Sequence, residues 1–227
     1  MMYSISELKH VMIDTETLGL TPGSVIRTVS VVEFNPVTGE TGRKHTWTIN
    51  LQDSIKAGFR IEAGTLKWWM MKSDEARTAF VSTPEQETGL VSFVNEFIEW
   101  FKPYAGKVAV WGLQIDFDLP MIRCYLHYMY MQIMRNDEYP LPWNRHFLVD
   151  ARPFVEVYRE NHPDLLTPHT SMGDCLMQID AVAEVFKANG EVTYGDNQNM
   201  AEFHAGIIMS LLQFVGVPVL DQDKNDC

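Results

Sequence analysis

Three strand-like runs crowd into the first fifty residues, and this limits the chain to folds that open with an antiparallel meander. His10-Val11-Met12-Ile13 is a short apolar run that ends in Asp14 and reads as a buried strand. Gly19 and the Pro22-Gly23 pair mark the turn after it. Val25 to Phe34 is rich in β-branched residues and reads as the second strand. Asn35-Pro36-Val37-Thr38-Gly39 is a turn, and His45 to Asn50 reads as the third strand. The period then changes. Ala63 to Phe80 and Pro84 to Lys102 have helical spacing, the second with Leu90, Phe93, Val94, Phe97, Ile98 and Phe101 on one stripe. Lys107 to Gly112 is a compact apolar strand, Asp118 to Arg135 a helix with Pro120 in its first turn, and Phe147 to Asp150 a short strand. Pro168 to Lys187 and Met200 to Val215 read as closing helices. A meander followed by alternating helix and strand predicts an α/β fold: a mixed sheet with helices packed on it.

With 227 residues, no repeats and no linker, the chain is expected to form a single domain, its core about 9–215 and a tail about 216–227. Hydrophobic residues at 46% are enough for a core, yet no apolar run reaches the ~20 residues of a membrane span. The N-terminus lacks a basic segment followed by an apolar stretch, so the expected location is cytoplasmic. Cys124, Cys175 and Cys227 have no zinc-type spacing and read as free thiols. A net charge of −12 disfavours binding bulk nucleic acid through phosphate contacts. The charge is uneven, however. Arg43, Lys44, Lys56, Arg60, Lys67, Lys72 and Arg77 cluster, and no basic residue lies between Lys187 and Lys224. A basic face opposite an acidic one is one reading; a merely solvated surface is the other.

Asp14-Thr15-Glu16 places two carboxylates at i and i+2, which on extended chain share a face. Two acids held together are costly unless a cation compensates them, although a solvated strand end has the same sequence. Far downstream, Val110 to Asp118 passes from strand through a loop into a helix opening at Phe117-Asp118, where Asp is also a common N-cap. His169 and Asp174 are five positions apart, about 140° out of alignment on a helix. They share a site if His169 sits on the loop before the helix; a capping or surface histidine is the alternative.

The order of these pieces resembles the DEDDh 3′–5′ exonucleases of the ribonuclease H-like fold. Thr65-Leu66-Lys67-Trp68-Trp69 followed by Ser73-Asp74-Glu75-Ala76-Arg77 looks like a segment of the exonuclease A proteins of tailed phages. Ile115 to Ile122 and His169 to Cys175 are similar to two further stretches of that group, so the resemblance runs from about 10 to about 190. Many relatives have Trp-Gly-Asn-Gly where this chain has Trp111-Gly112-Leu113-Gln114, which alters that loop but not the carboxylate after it. The resemblance implies a ribonuclease H-like mixed sheet and two divalent cations, Mg²⁺ with Mn²⁺ as substitute. Hard cations of this kind prefer oxygen ligands, which suits an all-carboxylate site. It also implies roles. Asp14 would bridge both ions, Glu16 and Asp174 would complete the site that activates water, and Asp118, not Asp116, would serve the second ion. His169 would take the proton from the attacking water, a task suited to a side chain titrating near neutrality.

For the substrate, the resemblance implies contacts from Thr17 and Leu18, with Leu18 wedged against the last base. Phe117 either stacks or belongs to the core. Trp68 and Trp69 lie about 100° apart on a helix, so either one is core and the other stacks on a base, or both are structural. The expected partner is single-stranded nucleic acid, DNA favoured over RNA, in the cytoplasm of a host if the chain is phage-encoded. Two other readings stand beside this one: a phosphoesterase on small nucleotides, suited to an acidic surface, and a non-catalytic nucleic-acid-binding module on the same fold.

Overall fold

The computed structural model describes residues 9–78, 80–136 and 141–188, together with Ile208, Leu211 and Leu212. Among them, five strands form one mixed sheet in the order β3-β2-β1-β4-β5. The strands are β1 (Lys9–Thr17), β2 (Ile26–Phe34), β3 (Thr41–Thr48), β4 (Val108–Gly112) and β5 (Leu148–Asp150). β1, β2 and β3 pair antiparallel in succession, and β4 and β5 add in parallel on the other side of β1. The meander and the later parallel strands are therefore as expected.

Two of the strand bounds differ from the sequence reading in a way that matters. β1 does not stop at Ile13 but runs through the acids to Thr17, with Asp14 opposite Ser30 and Glu16 opposite Thr28. β3 begins at Thr41, because its exposed polar residues still pair with β2 although they bury little.

Seven α-helices are described: α1 (Leu51–Lys56), α2 (Ala63–Met70), α3 (Asp74–Thr78), α4 (Leu90–Phe101), α5 (Ile115–Tyr128), α6 (Arg152–Asn161) and α7 (Ser171–Ala188). The expected helix Ala63–Phe80 is broken in two between Met70 and Asp74. The guanidinium of Arg77 donates to the carbonyls of Met70 and Lys72 and so fastens this joint. Pro84–Gln86 is a separate 3-10 turn, so the helix expected from Pro84 starts only at Leu90. α5 opens at Ile115, three residues before the position expected, and passes into a π-helical turn over Met129–Ile133. Pro120 thus lies past the first turn, where its ring nitrogen cannot donate within the helix. α1 and α6 were not anticipated. α1 is a single capped turn, with the side chain of Asn50 accepting from the Asp53 amide; α6 is mostly polar. Of the expected helix Met200–Val215 only Ile208, Leu211 and Leu212 are described, and these are helical; the tail 216–227 lies outside the described residues.

The sheet separates two apolar layers. Strand alternation sends Val11, Ile13, Val29 and Val31 to the side of α4 and α5, with Phe93, Phe97 and Tyr125. Met12, Val32, Ala109 and Trp111 go to the other side, against Phe154 of α6 and Cys175, Ile179 and Val182 of α7. Asp14 and Glu16 fall in register with Met12, so the same alternation turns them toward α7. Three buried hydroxyls set α7 on the sheet: Ser171 lies 2.9 Å from Thr28 and 2.7 Å from Ser30. Among the described residues no helix is long and apolar enough to cross a membrane.

Candidate active site

Asp14, Glu16 and Asp174 each turn one carboxylate oxygen into a common space, where these oxygens all lie within 4.8 Å of one another. The first two come from β1 and the third from the first turn of α7. That turn is placed by Thr170, whose hydroxyl accepts from the Gly173 amide and whose carbonyl accepts from the Asp174 amide at 2.8 Å. Gln178, one turn further along α7 and fully buried, donates from Nε2 to Asp14 Oδ1 at 2.9 Å.

Asp118 arrives from the opposite side of the sheet. It sits inside the first turn of α5, buried, and is not the N-cap, which is Gln114. Its Oδ1 accepts from the Thr15 amide at 3.1 Å and from the Thr15 hydroxyl at 2.6 Å. Thr15, pointing away from its two acidic neighbours, thus ties α5 to the middle of the acidic strand. The close fit is possible because β4 ends in Gly112, where a Cβ would stand 3.3 Å from the Ile13 carbonyl and 3.4 Å from Asp118 Oδ2. Asp116, two residues away, is 73% exposed and faces Arg152, so the structure separates it plainly from Asp118, which is 4% exposed.

The four acids form an electrostatically unfavourable cluster when no cation is present. Burial raises the Asp14 carboxyl well above its usual range, and Asp118, Glu16 and Asp174 raise it further. Burial, then Asp174 and Asp118, lift Glu16 to about 8. Burial also takes Asp118 to about 7, against the opposing hydrogen bonds from Thr15, and Asp174 to about 6. Asp174 Oδ1 and Gln178 Oε1 are buried without a hydrogen-bond partner among the described residues. An orphaned carboxylate oxygen among other oxygen donors fits a hard divalent cation.

His169 lies on the loop before α7, at a φ of +52°. Its Nε2 is 3.2 Å from Lys72 Nζ, and its ring packs edge-on against Trp68 at 5.3 Å between centroids. Desolvation lowers its pKa, and the charges of Lys72 and Arg159 lower it further. The two tryptophans part company: Trp69 is 4% exposed and donates from Nε1 to the Thr17 carbonyl at 2.9 Å, while Trp68 is 43% exposed. Thr17 is buried, its hydroxyl donating to the Gly19 carbonyl at 2.7 Å. Leu18 packs in the core, whereas Phe117 is only partly buried against it.

A family model described as the Rv2179c-like 3′-5′ exoribonuclease domain matches residues 9–186, which run from β1 into the last turn of α7. The chain belongs to this family. Among solved structures, that of E. coli Exonuclease I with a dT13 oligonucleotide is similar, with a TM-score of 0.51 at 14% identity. The match covers 78% of this chain but only 41% of that one, so the chain spans less than half of Exonuclease I. The nuclease domain of 3′hExo, a DEDDh family member bound to rAMP, matches at a TM-score of 0.49 and 11% identity, over 84% of this chain and 97% of that one. No curated protein matches the sequence. The fold is ribonuclease H-like, and the domain is of a 3′–5′ exonuclease family.

Three residues of this domain escaped the sequence reading. Gln178 had a signal, since Asp174 and Gln178 stand at i and i+4 on a helix whose neighbouring positions are apolar. Thr15 and Lys72 had none, because their partners Asp118 and His169 lie about a hundred residues away.

The acid cluster makes stability depend on pH in a defined direction. Carboxyls whose pKa rises on folding hold protons that the unfolded chain has lost, so their contribution is fully present below about pH 4. It is lost as pH rises through about 6 to 8, where Asp174, Asp118 and Glu16 ionise. After EDTA treatment, the melting temperature is expected to fall between about pH 5 and about pH 8. Mg²⁺ or Mn²⁺ should restore it at the higher pH. A metal-free protein that melts higher at about pH 8 than at about pH 5 contradicts this picture of the site.

Proposed function

We propose that this domain removes nucleotides from the 3′ end of single-stranded nucleic acid, releasing nucleoside 5′-monophosphates. The observation that carries the reading is the convergence of Asp14, Glu16 and Asp174 within 4.8 Å, with an unpartnered oxygen on Asp174. Asp14, Glu16 and Asp174, with Asp118 from α5, would hold two divalent cations, Mg²⁺ or Mn²⁺. When bound, such ions neutralise charge on the reacting phosphate and acidify water.

The remaining work falls to the chain itself. Water attacks the terminal phosphorus, the P–O3′ bond breaks, and the leaving oxygen stays on the shortened strand. His169 takes the proton of the attacking water; a lowered pKa keeps the imidazole neutral and basic at neutral pH. Thr17 at the end of β1 and Phe117 in the first turn of α5 stand next in sequence to Glu16 and Asp118 and are assigned to the terminal nucleotide. Leu18, buried in the core, supports them from behind and does not wedge against a base. Of the two tryptophans, Trp68 has the exposed face on which a base can stack.

Two features point to different sugars. The double-tryptophan segment resembles phage exonuclease A and favours DNA, while the family description names an exoribonuclease and favours RNA. End-labelled single-stranded DNA and RNA of one sequence, incubated with the protein and either Mg²⁺ or EDTA, test the reading and choose between them. Stepwise shortening from the 3′ end, abolished by EDTA, is the expected result. Cleavage that persists in EDTA, or binding without cleavage, rejects it.

A further inference from the structure

His169 does not stand free in this structure. Lys72 Nζ approaches its Nε2 at 3.2 Å, and the same ammonium lies 3.9 Å from the centroid of the Trp68 ring. Trp68 in turn meets the imidazole edge-on, so three side chains close on one another. An ammonium has only protons to offer, so Nε2 must be the acceptor and the ring must be neutral with its proton on Nδ1. Among the described residues, no carboxylate lies within ion-pair distance of Lys72. Two cations face the imidazole: Lys72 from the joint after α2, and Arg159 from α6. Arg159 is also tied to the loop, donating to the Thr167 hydroxyl at 3.3 Å. The backbone at His169 is in the left-handed region, which a non-glycine residue adopts only when its surroundings hold it there.

A general base needs its lone pair, and here that pair is occupied. We propose that Lys72 is a positioning residue that masks Nε2 of His169 until a phosphate of the incoming strand draws its ammonium away. The inference rests on His169 being the base. A phosphate oxygen is a stronger acceptor for an ammonium than a neutral imidazole, and the strand brings several. Release leaves Nε2 free to accept the proton of water, and the nearby Trp68 ring keeps the ammonium within reach of both partners. Substrate thereby exposes the base.

The test uses the whole chain with ¹⁵N-labelled histidine, Lys72→Met to remove the donor while keeping the stem, and Lys72→Arg to restore a cation. Without metal or substrate, wild-type His169 should show the Nδ1–H tautomer and a titration below about 6.5. In Lys72→Met the titration should move up and the tautomer preference weaken, with Lys72→Arg recovering both in part. Adding a short single-stranded thymidine oligonucleotide to the metal-free wild type should shift the Nε2 signal in the direction that Lys72→Met does. In turnover, Lys72→Met should raise KM about 10-fold, as for one lost charge-assisted contact, with kcat changed much less. His169 signals that are the same in wild type and Lys72→Met, or that ignore the oligonucleotide, overturn the mask while leaving His169 as base. His169→Ala at the wild-type rate overturns the base and the mask together.

Discussion

Asp14→Asn should abolish turnover and yet leave a protein that melts higher than the wild type when both are free of metal. The two halves of this result have one cause. Asp14 is the most crowded acid of the cluster, opposed by burial and by three neighbouring carboxylates. Asn keeps the Oδ1 that accepts from Gln178 and removes only the charge. Folding is then relieved of a repulsion worth on the order of 1–2 kcal/mol, or several degrees for a domain of this size. The catalytic cost runs the other way. A site that needs its full carboxylate set should lose roughly a thousandfold or more, about 4 kcal/mol of transition-state stabilisation. Melting curves in EDTA and initial rates with Mg²⁺ measure both. A variant that keeps more than roughly a tenth of the wild-type rate would remove Asp14 from the reaction.

Asp118→Asn and Asp116→Ala should differ by orders of magnitude in rate despite lying two residues apart. Asp118 is buried and tied to Thr15, and its amide replacement still accepts from the Thr15 amide and hydroxyl through Oδ1. Any loss in that variant therefore reports the missing charge, not a loosened strand. Asp116 is exposed beside Arg152, which Asp150 already engages, so its removal should change the rate by less than about twofold. Equal losses from both would mean that α5 sits in a different register over the site. A Thr15→Val change completes the series. It deletes the 2.6 Å hydroxyl bond and keeps the amide bond, so its effect should fall between the other two.

The sequence made the antiparallel meander and the pairing of Asp14 with Glu16 legible for a simple reason: both are written in local pattern. β1 and β2 are nearly continuous buried runs rich in apolar and β-branched residues, and the i, i+2 spacing of Asp14 and Glu16 fixes their common face. The helices were legible where a long apolar stripe exists, as in α4, and not where a short polar element is held by tertiary contacts, as in α1 and α6. The break between α2 and α3 depends on Arg77 reaching back to two carbonyls, which no local pattern announces. The same limit applies to the site. Thr15, Gln178 and Lys72 act through partners distant in the chain, and polar residues of that kind look like surface until the fold brings them inward.

The hydrogen bond between Gln178 and Asp14 joins residues 164 positions apart. A chain emerging from the ribosome can complete its meander early, since β1, β2 and β3 are consecutive neighbours. It then carries Asp14 and Glu16 on an uncovered strand face, with neither Asp174 nor His169 yet synthesised. Nascent and prematurely terminated products should therefore be inert toward nucleic acid, including the message being read beside them. Long-range closure of this kind is slow to form, because the entropy of ordering the intervening chain is spent before the contact is made. On the proposed activity, late assembly would double as a safeguard, since the ability to degrade would arrive only with α7.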